Sequence, residues 1–326
     1  MVEGLWERVL HQRGTHSAVV VAGGRVVVHE RRTRLVCLDA VDGAVAWDLP
    51  VGTWPRAVVV TGDRVLVLPQ DRPVLSCIGL TTCEVFWRAE VPAWTGNVAV
   101  AGGVVLAGGW RGYTPLTAID LTDGRLRRRI ATTVETERPA AWSGGLVLGS
   151  GTRAWLIDPQ DGRELEAWQL SRPLAGADGR AVFTVLDADR CAVRCGEDAV
   201  VVLRRGRGRD EPLATHEGPL LGGAPLAVGG LLWLRETRSG GEYVAVDPLD
   251  GARRWRTAVG RPTAEGVVRA GGGVVVASED GTLFRLRAGG EVSERHRLGG
   301  RIAALHDLGD GRLLTVARNG LRVWKL

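Results

Sequence analysis

The chain has 326 residues, 45% of them hydrophobic and 24% charged, so it is able to bury a large core and does not have the composition of a disordered segment. Its 46 glycines and 14 prolines exclude a helical bundle and call for many tight turns. The formal charge of +5 is spread along the sequence, and the densest basic runs, RLRRRI at 125–130 and RRGRGRD at 204–210, are too short for a nucleic-acid-binding face. Lys325 is the single lysine, so Schiff-base chemistry would rest on that residue alone.

In chain order, the opening MVEGLWERVL has no basic region followed by an apolar run, and no window reaches membrane-spanning length. A soluble, cytoplasmic protein without a membrane partner is expected. Within that opening, LWERVL at 5–10 reads as a strand. From there the sequence repeats with a period of about forty residues. LVCLDAVDGAVAW at 35–47 recurs as LSCIGLTTCEVFW at 75–87, LTAIDLTDGRLRR at 116–128, AWLIDPQDGRELE at 154–166 and YVAVDPLDGARRW at 243–255. Two short Val/Leu-rich runs joined by a Gly-Gly or Gly-Asp turn precede each copy, as in AVVVAGGRVVVHE and AVVVTGDRVLVLP. Each repeat is therefore four antiparallel strands.

Short strands that are apolar on both faces cannot bury themselves alone, and radial stacking is the arrangement that closes. The expected fold class is all-β: an eight-bladed β-propeller of four-stranded antiparallel blades, with residues 1–326 as one domain. Blades are expected at 17–50, 57–92, 97–131, 138–170, 178–216, 224–257 and 266–297. Residues 302–326 supply only three further strands, and the strand at 5–10 completes them, so the last blade is closed by the N-terminal strand. The fifth blade, containing CAVRCGEDAVVVLRRG, lacks the Asp-Gly turn that marks its neighbours.

In DAVDGAVAW, Gly43 accepts positive φ, Asp42 can bond its own backbone and Asp39 can cap the turn. Trp47 and Trp255 fall four residues after the turn glycine. So does Trp87, with Cys83 in the glycine place, and Trp6 matches them in the last blade. These tryptophans are expected to wedge between blades with their indole N–H on a neighbouring carbonyl. The Asp pairs lack a third carboxylate at loop spacing, so they read as turn chemistry and not as calcium ligands. Five cysteines, Cys37, Cys77, Cys83, Cys191 and Cys195, show no CxxC spacing, and reduced thiols are expected.

DAVDGAVAW, DLTDG at 120–124, DPQDG at 158–162 and DPLDGARRW at 247–255 resemble the blade-ending pattern of the pyrroloquinoline-quinone-type repeat family of propellers. The resemblance covers essentially the whole chain. It implies the propeller fold, and it spans both calcium-dependent quinoprotein dehydrogenases and cofactor-free scaffolds resembling the outer-membrane assembly lipoprotein. The dehydrogenases use two adjacent cysteines against the quinone and clustered Asp, Glu and Asn on calcium. Here no cysteines are adjacent and only Asn97 and Asn319 are asparagines, so no cofactor is expected.

Loops that enter each blade, and loops between second and third strands, share one rim of a propeller. On the first three blades these carry His16, His29, Glu30, Trp54, Arg56, Trp94, Trp110, Arg111 and Tyr113. Trp54, Arg56, Trp94, Trp110, Arg111 and Tyr113 are the candidate ligand-binding residues, in a cleft of aromatics with polar anchors. The competing reading is that Trp54 and Trp94 cover the tops of the inner strands. Two functional readings stay open. One is a non-catalytic binding module, a monomer that takes a protein segment or small molecule at the rim and central channel. The other is a cofactor-independent cyclase, isomerase or lyase of a bacterial specialised pathway, using His29 or His16 as base with Glu30 or Arg56 holding charge.

Overall fold

The structure, a computed structural model, describes residues 2–10, 18–30, 32–108, 115–133, 139–174, 183–206, 214–218, 220, 225–236, 241–262, 266–269 and 273–326. Every regular element among them is a β-strand, and the strands form eight four-stranded antiparallel sheets, the blades of an eight-bladed β-propeller. By its internal contacts the chain divides into two compact units, Met1–Glu90 with Val259–Leu326, and Val91–Ala258.

In the first unit, blade one is Val19–Ala22, Arg25–Glu30, Arg34–Asp39 and Val45–Pro50 (β2 to β5). Blade two is Pro55–Thr61, Arg64–Pro69, Val74–Gly79 and Val85–Glu90 (β6 to β9). Blade seven is Val267–Val268, Val274–Ala277, Thr282–Leu286 and Val292–Arg297 (β26 to β29). Blade eight takes Ile302–Gly309, Arg312–Ala317 and Gly320–Lys325 (β30 to β32) from the C-terminal end and Glu3–Val9 (β1) from the N-terminal end, in the order β1-β32-β31-β30. The last blade is thus closed by the N-terminal strand, as the two incomplete ends of the sequence require.

The second unit holds blade three, Asn97–Ala101, Val104–Gly108, Pro115–Asp120 and Leu126–Thr133 (β10 to β13), and blade four, Ala140–Trp142, Gly145–Ser150, Arg153–Ile157 and Glu164–Gln169 (β14 to β17). Blade five is Phe183–Val185, Arg190–Cys195, Ala199–Arg204 and Ala214–Glu217 (β18 to β21), and blade six is Leu226–Val228, Leu231–Glu236, Glu242–Val246 and Arg253–Ala258 (β22 to β25). Observed and expected blade limits agree within a few residues.

The second and third strands of each blade are apolar on both faces, and their side chains fill the seams between blades. Val26, Val28, Val36 and Leu38 of blade one pack against Leu314, Leu321 and Val323 of blade eight. Leu35, Cys37 and Val27, on the opposite face, pack against Val65, Val67 and Ile78 of blade two. The outermost strands alternate partly buried and exposed residues, and their solvent side is charged, as Arg127, Arg128 and Arg129 show on β13. That composition protects sheet edges from adding further strands.

The Asp-Gly turns spend their oxygens on their own backbone. Asp39 Oδ1 accepts from Val41 N at 2.8 Å and Asp42 Oδ1 from Ala44 N at 2.9 Å, and the same pair of bonds recurs at Asp120/Asp123, Asp158/Asp161 and Asp247/Asp250. Cys83 takes the glycine place at φ 62°. The Arg127 guanidinium on Asp120, at 2.5 Å, holds that carboxyl down at about 2.

The turns of blades one, two and four also receive the preceding blade. Trp6 lies on Gly43, where a Cβ would stand 2.7 Å from the indole ring, and its Nε1 donates to Ala40 O at 3.3 Å. Trp47 Nε1 donates to Leu80 O at 2.8 Å. In blade four, Trp168 Nε1 donates to Arg204 O at 3.1 Å and Trp142 Nε1 to Asp187 O at 2.9 Å, both in blade five. Trp255 packs edge-on to Trp233 of its own blade at 4.4 Å. All five cysteines are free, and burial pushes the Cys37 thiol up to about 11 and the Cys195 thiol up to about 12.

Candidate functional site

The connection between β5 and β6 brings the loops of blades one and two together. Val51 N donates to Thr33 O at 2.9 Å and Trp54 N to Arg32 O at 3.1 Å. On the other side Gln70 N donates to Thr53 O and Trp54 O at 2.9 and 2.7 Å, and Thr53 N donates to Asp71 Oδ1 at 3.0 Å. The loops that carry Trp54 and Arg32 therefore share one face, as the alternation of propeller loops requires. Trp54 and Arg32 sit at φ 50° and 63°, a conformation that bulky residues rarely adopt, and the Arg32 guanidinium lies 5.6 Å from the centre of the Trp54 ring. Arg56, two residues after Trp54, is half-buried, and burial pulls its pKa down.

His29 and Glu30 close the second strand of blade one, and both are sealed from solvent. His29 Nε2 donates to Gly52 O at 3.0 Å, which places its proton on that nitrogen. Burial lowers its pKa, so the ring is neutral. Glu30 receives both Arg8 nitrogens, Nε at 3.3 Å and Nη2 at 2.5 Å, from the outermost strand of blade eight. His29, one of the two candidate bases, and Glu30, one of the two candidate charge holders, are thus engaged within the seams. Neither faces open solvent.

In the second unit, the connection between β9 and β10 carries Trp94. It is 59% exposed and sits at φ 70°. Thr95 folds under it, donating N–H and Oγ1–H to Pro92 O at 3.2 and 2.7 Å. The turn thus holds a large aromatic ring outward at a cost in backbone strain, a combination found at recognition sites more often than in loops that only connect. His16, Trp110, Arg111 and Tyr113 lie outside the described residues.

A second buried ionic cluster escaped sequence reasoning. At the seam of blades five and six, His216 Nε2 lies 3.2 Å from Glu236 Oε1, which also meets Arg253 Nη2 at 3.5 Å. Glu236 and Glu30 are equivalent residues, each the last of a second strand and each held by a basic residue on the outermost strand of the blade before. The signal was present in VVVHE and LLWLRE, where an apolar run ends on a carboxylate.

Acid is expected to destabilise the fold through its buried imidazoles. Burial lowers the pKa of both His29 and His306 below the ordinary 6.5. The unfolded chain then binds more protons than the native one, and the stability these residues supply is complete above pH 6.5 and lost as pH falls toward the lowered values. Urea midpoints measured from about pH 7.5 to about pH 5 should fall, and His306→Leu should flatten the slope. An unchanged slope in that variant would remove His306 from the account.

The donor set does not fit a quinone with its metal. The five thiols are scattered over three blades with no two adjacent in sequence, and among the described residues no His, Cys, Asp and Glu side chains form a group of three that could hold a metal ion.

Four-stranded blades with recurring D-x-x-[DT]-G turns, of which those of blades one and four receive Trp6 and Ile130 from the blade before, define a PQQ-type repeat β-propeller. The family model described as outer membrane protein assembly factor BamB matches residues 3–82, 71–218 and 239–326, and the chain belongs to that family. Among solved structures it is similar to BamB from Moraxella catarrhalis, at 15% identity and TM-score 0.78 over 100% of both chains. It is also similar to the computationally designed Ika8 protein, at 15% identity and TM-score 0.73 over 98% of both chains. A europium-containing methanol dehydrogenase matches at 12% identity and TM-score 0.71, over 100% of this chain and 93% of that one. No curated protein sequence matches the chain.

Proposed function

We propose that the chain is a non-catalytic scaffold that binds a protein segment at its loop-bearing rim and central channel. Membership of the BamB family supports this reading, since BamB is an outer membrane protein assembly factor. The observation that carries it is Trp94, an exposed ring held out at positive φ by a dedicated turn. In the first unit Trp54, also at positive φ and with Arg32 on its ring, is a separate candidate anchor. The engagement of His29 and Glu30 inside the seams supports binding over catalysis.

Trp94→Ala should weaken partner binding by about 1–3 kcal/mol while leaving the melting temperature within about 2 °C of wild type, because the ring buries little of itself in the fold. Affinity capture with wild-type and variant protein, compared by mass spectrometry, checks this. The reading fails if every protein retained by the wild type is retained equally by Trp94→Ala and Arg56→Ala. The five free thiols support a reducing compartment, and we place the protein in the cytoplasm; cell fractionation would test this.

A further inference from the structure

Blade seven docks differently from blades one, three, four and eight. Trp6, Trp47, Ile130 and Trp168 each reach the next blade from an outermost strand. On β29 the residue four after the turn glycine Gly290 is Glu294, and it turns to its own sheet: Oε2 meets His296 Nε2 at 3.1 Å and Oε1 meets Arg285 at 2.8 Å. Val275, Ala277 and Leu283 of blade seven still pack against Ile302, Leu305 and Leu313 of blade eight, and outside that core a groove of about 240 Å³ runs between the connection from β29 to β30 and the strands β31, β32 and β1.

Its chemistry is specific. Leu321 and Val323 point into the seam with blade one, so alternation turns Arg322 and Trp324 toward the groove. Trp324 is fixed there by its Nε1 donating to Thr315 Oγ1 at 2.9 Å. Leu298, which also packs on the core between blades seven and eight, and Val9, 65% exposed, add apolar wall. Arg322 is already neutralised by Glu7 at 2.7 Å, whereas Arg301, exposed at the groove, has no ion-pair partner among the described residues. The volume is that of about eight waters, room for two or three side chains but not for a helix.

We propose that this groove is a docking site for an extended segment of a partner protein that brings one carboxylate to Arg301 and apolar side chains to Trp324, Leu298 and Val9. The occupant is fixed by complementarity: the lining supplies one unanswered positive charge beside uncovered apolar surface, so the segment that completes it is acidic at one position and apolar beside it. The site lies outside the loops of Trp54 and Trp94 and does not depend on them.

The probe is a panel of dye-labelled, end-capped hexapeptides carrying one Glu flanked by Leu, Val or Phe, titrated by fluorescence anisotropy to about 1 mM. At least one member should bind saturably, and its Gln analogue at least about fivefold more weakly. Arg301→Glu should weaken it at least about tenfold, while Arg129→Glu, which removes an exposed arginine that does not line the groove, and Trp94→Ala leave it unchanged. Circular dichroism and melting temperature confirm that Arg301→Glu folds, as an exposed loop position should. Several results would overturn the proposal: no saturable binding, equal affinity for the Lys analogue, or indifference to Arg301→Glu. Displacement by acetate alone would reduce the groove to an anion site, and sedimentation showing a wild-type dimer that Arg301→Glu dissociates would make a second copy of the chain its occupant.

Discussion

Deleting residues 1–12 should lower the melting temperature by roughly 6–20 °C, the equivalent of about 3–5 kcal/mol. Three losses coincide. β32 loses its antiparallel partner, which runs in register from Glu3↔Lys325 to Val9↔Gly320. The seam with blade one loses Trp6, which covers Gly43 and bonds Ala40 O. Glu30, sealed from water, loses the Arg8 guanidinium that neutralises it, and an uncompensated buried carboxylate is the costliest of the three. Scanning calorimetry of the truncated chain checks the size of the effect. A synthetic peptide of residues 1–12 added in trans should recover part of it, because the vacated edge of β32 is a preformed template. Arg8→Ala alone separates the ionic share from the strand. A shift below about 2 °C on truncation would mean that blade eight stands on three strands.

The architecture was legible because the repeat is written at two levels that agree. Period-two apolar runs give the strands, and D-x-x-[DT]-G fixes where the third strand turns into the fourth; the resulting Asx bonds recur with the same partners in blades one, three, four and six. Docking was legible only in part. Trp47 four residues after its glycine was readable, but Trp168 reaches blade five from two residues further along, on the same face of its strand, and a search at fixed spacing passes over it. Blade five escapes the pattern for the same local reason: without an Asp-Gly turn, only the apolar runs around Cys191 and Val200 mark it.

Function was less legible, because loop residues are not constrained by the period. Trp54 and Trp94 could be assigned to blade-connecting loops, yet their positive φ, the feature that distinguishes a held-out ring from a lid, is invisible in VGTWPR and VPAWTG. His29 and Glu30 look like a catalytic pair in sequence since they stand at the end of a strand. Their neighbours in space, Gly52 and Arg8, come from another loop and another blade, and those contacts make them structural. The open groove at blade seven was equally hidden. It lies beside an outer strand whose docking position carries Glu294, and one charged residue at one repeat position does not stand out when the repeats are aligned one by one.

Gly43→Ala should cost roughly 3 kcal/mol, whereas Gly24→Ala, at nearly the same φ, should cost only about 1–2 kcal/mol. Both glycines are left-handed, at 73° and 71°, so each alanine carries the same penalty of a Cβ against the following carbonyl. The two differ in what that Cβ meets. At Gly24 there is nothing within 4 Å, whereas at Gly43 the Trp6 ring atoms Cδ2 and Cε3 stand at 2.7 and 2.8 Å. The indole must withdraw, lengthening its bond to Ala40 O and lifting β1 from the seam, and overpacking of this kind adds about 1–3 kcal/mol. Coupling gives the sharper test: in the Trp6→Ala background the ring is gone, so Gly43→Ala should fall to the cost of Gly24→Ala, a coupling energy of about 1–2 kcal/mol in urea unfolding. Equal costs for Gly43→Ala with and without Trp6 would show that the turn needs glycine for its dihedral alone, and that the docking of one blade's outer strand on the next blade's turn is not what this position is built for.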